Sequence, residues 1–191
     1  MVKGPCTFSE LKQYIRKDLH YVNGHPYRTL FSRYFGEPGL RFTIWLRVTR
    51  YFFLKGKRFF PLFYFSRMIL KHLGYKFSFD ISYRAQIGPG LTIAHFGYVI
   101  VPSNATIGRD CTLRPGVVFG KKLSEETLGA RVGDCVNIGV GSKIVGAVSI
   151  GNNVMIGANS VVTKDIPDSC IVAGVPARIM RYADQNEPIE N

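Results

Sequence analysis

The chain has 191 residues, 46% of them hydrophobic, enough for one domain with a proper core or one domain with an appendage. Its four cysteines show no paired or CxxC spacing, which excludes a disulfide framework or thiolate cluster; they read as small residues of a reducing compartment, Cys111 and Cys135 on inward positions. The net charge of +12 is confined to residues 1–79, where fifteen Lys and Arg face Glu10, Asp18 and Glu37, while residues 80–191 carry ten of each sign.

Thr7-x-x-Glu10 is a capping pattern, and Leu11, Tyr14, Ile15, Leu19 and Val22 follow at helical spacing, predicting a helix over 7–22. Lys3, Glu10, Lys12, Arg16 and Lys17 interrupt any apolar leader, so a cytoplasmic location is expected. Asn23-Gly24-His25-Pro26 is a turn by composition, with a short helix over 27–35 after it. Gly36-Glu37-Pro38-Gly39 breaks the chain again, and aromatic-rich helices over 40–54 and 61–73 join at Lys55-Gly56-Lys57. Residues 1–79 are therefore an α-helical, basic and aromatic region holding twenty of the chain's aromatic residues. Cations interleaved with rings suit a surface resting on anionic lipid head groups, a peripheral contact on the inner face of a membrane. The same residues equally suit rings packed between helices under solvated charges. Lys55, Lys57 and Arg58 leave no apolar run near the roughly 20 residues a crossing needs. No nucleic-acid motif accompanies the charge, and no nucleic-acid partner is expected.

From residue 80 the period changes to six. Ile81, Ile87, Ile93 and Val99 keep the beat, a two-residue slip near Pro102-Ser103 resets it, and Ile107, Leu113 and Phe119 resume it. Val132, Ile138, Ile144, Ile150, Ile156 and Val162 carry it on, with Gly after four of them. Four places beyond each stands a second small or branched residue, as at Val136, Ser142, Val148, Val154 and Ser160. A six-residue apolar beat with turn residues between is the mark of a parallel β-helix, in which each hexad is one short strand and a turn. Lys121–Ala130 shows no beat and reads as a loop leaving the solenoid. The solenoid spans 80–182, closes with a half-coil and a turn at Pro167-Asp168, and gives way to a polar tail over 183–191. The fold class is mainly β, a parallel β-helix carrying an α-helical N-terminal segment that covers its first edge.

A hexad solenoid has no deep pocket, so reactive groups must stand on its turns. His95, in Ile93-Ala94-His95-Phe96-Gly97, occupies such a turn, and Asp80 lies fifteen residues earlier on the neighbouring rung. A carboxylate accepting from one ring nitrogen leaves the other free as a general base. A single histidine there offers too few ligands for a metal, and none is expected.

The run from Asp80-Ile81 through Ile87-Gly88-x-Gly90-Leu91-x-Ile93-x-His95, with Gly116-Val117-x-x-Gly120, the later hexads and Ala173-Gly174-Val175-Pro176-Ala177-Arg178, resembles the serine O-acetyltransferases. These are hexapeptide-repeat acyltransferases built on a left-handed β-helix, and the N-terminal part is similar to their relatives in capsule and exopolysaccharide gene sets. The resemblance implies homotrimers, with N-terminal helices able to pair them, and acetyl-CoA as co-substrate in the groove between solenoids. It implies catalysis by His95 oriented by Asp80. It also implies coenzyme contacts from Gly120, whose N–H would steady the oxyanion, from Gly139, Val140 and Ala158 along the pantetheine, and from Lys164 and Arg178 at the phosphates. Where a serine enzyme has an Asp before the histidine and an Arg-His pair after the loop, this chain has Ala94, Leu128 and Gly129. The expected reaction is therefore acetyl transfer to a sugar hydroxyl of a surface polysaccharide or its lipid-linked precursor. The alternatives are N-acetylation of a nucleotide-linked amino sugar, serine O-acetylation proper, and a catalytically silent membrane scaffold.

Overall fold

A computed structural model describes residues 4–20, 34–121 and 129–182. Most of the expected short helix over 27–35, the turn before it, most of the loop after Lys121 and the polar tail lie outside the described residues; the described end of that helix, 34–36, is helical.

Among the described residues, fifteen strands form three faces of a triangular solenoid. Face A stacks β1 (Phe79–Ile81), β4 (Val99–Val101), β7 (Val118–Gly120), β10 (Lys143–Val145) and β13 (Val161–Val162). Face B stacks β2 (Gln86–Ile87), β5 (Thr106–Ile107), β8 (Arg131–Val132) and β11 (Ser149–Ile150). Face C stacks β3 (Thr92–Ile93), β6 (Thr112–Leu113), β9 (Asn137–Ile138), β12 (Met155–Ile156), β14 (Cys170–Gly174) and β15 (Ala177–Tyr182). All pairings are parallel except β14 with β15, which turns the expected last half-coil and tail into a closing hairpin. Ile107, Leu113, Ile138 and Ile144 are completely buried in the aliphatic column. Each contributes about 1.5–3 kcal/mol over an exposed side chain.

The two extra residues of the slip lie inside a strand and not at Pro102-Ser103. Val99 and Val101 both point inward with Ile100 between them, as Phe79 and Ile81 do around Asp80, and Ile107 then follows Val101 by six. Cys111 is an inward core residue as expected, and burial pushes its thiol up to about 12. Cys135 is not: it holds φ 56° at a corner and is exposed, because the inward place of that hexad belongs to Val136.

The glycines that follow the beat mark where rungs approach most closely. A Cβ on Gly108 would meet the Gly133 carbonyl oxygen at 2.4 Å, and one on Gly133 would meet that of Gly151 at 2.7 Å. Beside this ladder runs a second one of side chains. Asp134 Oδ1 accepts from the Arg109 N–H at 2.7 Å, Asn152 Oδ1 from Asp134 at 2.8 Å, and Asp168 Oδ1 from Asn152 at 2.6 Å. Hydrogen bonds from the Arg109 side chain hold the Asp134 carboxyl below the usual range.

Among the described residues, three helices of more than one turn cover the first coil. Helix α1 (Phe8–His20) opens with the expected capping box: Thr7 Oγ1 accepts from the Glu10 N–H at 3.1 Å, and Glu10 Oε2 from the Thr7 N–H at 3.0 Å. Helix α2 (Pro38–Lys55) starts at the Pro38-Gly39 expected to be a break, since proline suits the first turn of a helix. Its Gly39 lies so close to β3 that a Cβ would sit 2.0 Å from the Ile93 carbonyl oxygen. A 3-10 turn over Lys57–Phe59 leads into α3 (Phe60–Phe77), whose buried Ser66, Leu70, Leu73 and Gly74 face α2 and β1. Phe42, Leu46, Leu70 and Leu73 join the solenoid's own cluster, so the core runs unbroken from helices to coils.

The helices are fastened by a buried ion pair. The Arg47 guanidinium donates to Asp18 Oδ2 at 2.8 Å and to the carbonyls of Ile87 and Gly88 at 2.7 and 2.6 Å. Asp18 Oδ1 in turn accepts from the N–H groups of Gly90 and Leu91 at 2.8 and 3.0 Å. Every partner is satisfied, the condition under which a buried charge pair is tolerable.

Candidate active site

The corner where face C turns into face A carries most of the expected site. Each turn hangs on the one before: Gly116 N–H donates to the Tyr98 carbonyl at 2.7 Å, Gly141 to Pro115 at 2.8 Å, and Asn159 to Val140 at 2.7 Å. Gly97 likewise donates to the Phe77 carbonyl at 3.2 Å, so α3 runs straight into the bottom of this edge. His95, Pro115, Val140 and Ala158 therefore form one vertical file, each two residues beyond an inward residue of face C. His95 and Ala158 are exposed, Val140 is 47% exposed, and the tip of the closing hairpin, Gly174–Ala177, stands above them.

The first corner differs from those above it. The left-handed residue comes three places after the inward residue at Gly116, Gly141 and Asn159, but two places after Ile93, where His95 takes φ 65°. Holding a residue with a Cβ there costs on the order of 1–2 kcal/mol. The imidazole is exposed at the corner, beside Phe96 and Tyr98, which are 72% and 52% exposed.

Asp80 is exposed on the outer surface of face A, one rung below His95, but its register partner is Ile100, five positions further along than the histidine. The first coil is twenty residues and not eighteen, because of the longer strands β1 and β4. No hydrogen bond or ion pair joins the two side chains in the single chain. Val140 lies in the file with Gly139 next to it in the chain, and Arg178 follows the hairpin tip on β15, paired with Ala173. Gly120 and Lys164 do not: both sit at the opposite end of face A, where Gly120 accepts from the Gly146 N–H and Lys164 is exposed. Of the acceptor-side positions, Ala94 is half-buried beside the histidine and Gly129 packs on Asn104, while Leu128 lies outside the described residues.

Two further groups belong to this edge. Lys143, half-buried on face A, donates from Nζ to the carbonyls of Gly116 and Gly141 at 2.8 and 2.6 Å and lies 5.7 Å from the Tyr98 ring centroid. It ties two corners of the file together and places a cation beside it. Arg114 reaches across to Asn137 on face C. Nothing in the sequence separates Lys143 from a solvated lysine, because its partners are carbonyls 2 and 27 positions away. Among the described residues no group of three potential metal ligands converges.

No family model matches the chain. The chain is 34% identical over 141 residues to a serine acetyltransferase of Staphylococcus epidermidis, covering 72% of this chain and 63% of that protein. It is 40% identical over 104 residues to one of Mycobacterium tuberculosis, covering 53% and 44%. Among solved structures, serine acetyltransferase of Brucella abortus in complex with coenzyme A aligns over 93% of this chain and 70% of its own, with TM-score 0.78 and 26% identity. That of Neisseria gonorrhoeae in complex with serine aligns over 91% and 70%, with TM-score 0.75 and 26% identity. The fold is the left-handed β-helix of hexapeptide-repeat transferases. The chain spans less than two thirds of the length of the curated relatives it matches. These relatives are all named serine acetyltransferases, so the expected likeness of this hexapeptide-repeat chain to capsule and exopolysaccharide enzymes finds no support in them.

Proposed function

We propose that the chain is an acetyl-CoA-dependent O-acetyltransferase whose general base is His95. The observation that carries the reading is the file of small residues, half-buried Pro115 and exposed Val140 and Ala158, above an exposed histidine, in a fold whose solved relatives include a coenzyme A complex. Val140 and Ala158 offer a narrow apolar track for pantetheine, and Arg178, on the strand after the hairpin tip, is a cation suited to the nucleotide phosphates. Gly120 and Lys164 would contribute from the far end of face A, which in the trimer implied by the resemblance is a surface for a neighbouring solenoid.

In the proposed reaction the free nitrogen of His95 takes the proton of an acceptor hydroxyl as its oxygen attacks the thioester carbonyl. The carbon–sulfur bond then breaks and the proton passes to the departing CoA thiolate, giving an acetyl ester and free CoA. Asp80 is the carboxylate proposed to orient the imidazole once substrate is bound. Serine is the first acceptor to test, since the named relatives support it. A sugar hydroxyl is the second reading, favoured by Ala94, whose methyl cannot grip an ammonium group.

The test is thiol release from acetyl-CoA with serine and with neutral sugars as acceptors. The His95→Ala variant is expected to lose about 10²–10⁴-fold in kcat, the usual worth of a positioned acid–base group, with its far-UV spectrum unchanged. Activity within tenfold of the unmodified chain would remove His95 from the mechanism. A serine kcat/KM no higher than that for sugars would select the second acceptor.

A further inference from the structure

We infer that the outward face of α3 is a docking surface for an anionic lipid bilayer. The helix has two different faces. Ser66, Leu70, Leu73 and Gly74 are buried against the rest of the molecule, and Gly74 is pressed so close to β1 that a Cβ would lie 2.7 Å from the Phe79 carbonyl oxygen. On the other side Phe60 is 55% exposed, Phe65 61%, Met68 70% and Tyr75 75%, with Tyr64 beside them. Spacings of 4 and 11 residues put Tyr64, Met68 and Tyr75 on one line of the helix. The Phe60 and Tyr64 rings lie 4.4 Å apart between centroids with their planes tilted by 52°, so these exposed rings adjoin and are not scattered single apolar residues.

Cations flank this stripe. Lys57 and Arg58 stand exposed at the start of the helix, Arg67 and Lys71 along one flank, and Lys76 on the other. No Asp or Glu occurs between Glu37 and Asp80. That charge decides between occupants. A second copy meeting the first through α3 would appose two wholly basic surfaces, whereas a bilayer with anionic head groups takes the rings at its interface and the cations at its phosphates. No described helix is long and apolar enough to cross a membrane, so the contact is a helix lying on the surface.

The inference stands apart from the acetyl-transfer reading, because no residue of that site lies on α3. Its test is co-sedimentation of the full chain with vesicles of phosphatidylcholine alone and of phosphatidylcholine mixed with phosphatidylglycerol. Binding is expected to be at least tenfold tighter on the anionic vesicles and to weaken with salt. The double variant Lys71→Glu, Lys76→Glu and, separately, Met68→Glu should each lose about tenfold or more, with unchanged far-UV spectra, since all three positions are exposed. Three results would overturn it: equal binding to both vesicle types, variants that bind like the unmodified chain, or a drop in oligomeric mass on Met68→Glu, which would give the face to a second copy.

Discussion

Asp18 shows how much one side chain can carry when it is buried and fully used. It is completely inaccessible, pairs with Arg47 and accepts from two backbone N–H groups of the first rung. Replacing it with Ala strands a buried guanidinium and two buried donors at once. The Asp18→Ala variant is expected to lose about 3–5 kcal/mol of stability, read from urea unfolding. A loss under about 1 kcal/mol would mean the network is wetter than its burial indicates. Neither residue could be singled out from the sequence, where Asp18 is one of three acids in a basic segment and its backbone partners are 72 and 73 positions away. His95 is the opposite case. Its turn position and lack of any competing histidine in the solenoid made it legible, although the left-handed backbone that presents it was not.

At the scale of the element, the coil is held by close backbone approach as much as by side chains. Rungs about 4.8 Å apart leave no room for a Cβ at the glycine ladder. Gly133→Ala would press a methyl against the Gly151 carbonyl, and the strain of such overpacking is expected to cost about 1–3 kcal/mol in thermal or urea unfolding. The same change at Gly120, whose Cβ would meet nothing nearer than 4.0 Å, is the control expected to leave stability almost unchanged. The glycine pattern was visible as Ile-Gly pairs; which glycines are packed against a carbonyl depends on stacking. The miscount at Cys135 has the same origin, since only the stacked rungs fix which residue of a hexad fills the inward place.

Across the whole molecule, the helices and the solenoid share one core. Trp45, the single tryptophan of the chain, lies in α2 and is packed against that core, so its fluorescence reports on the helical segment. Far-UV circular dichroism reports on the whole chain, the solenoid included. If the two regions unfold as one unit, both signals should trace a single transition with one midpoint. A tryptophan transition at clearly lower urea would divide the chain near residue 79, where composition changes. The charge asymmetry also belongs to this scale: the basic half is the helical half, and its outward face is the proposed bilayer contact.

By itself the sequence determined the architecture and singled out the turn on which the proposed base stands. A period of six repeats locally in the chain, and each repeat can bury its apolar residue only by stacking on the next. Only the tertiary structure decided what meets along the stack. The shared corner of His95, Val140 and Ala158, the Lys143 tie across it and the Asp18–Arg47 clamp join residues on different rungs. Such contacts depend on coil length and register, and those are set by packing, not by any neighbouring residue in the chain.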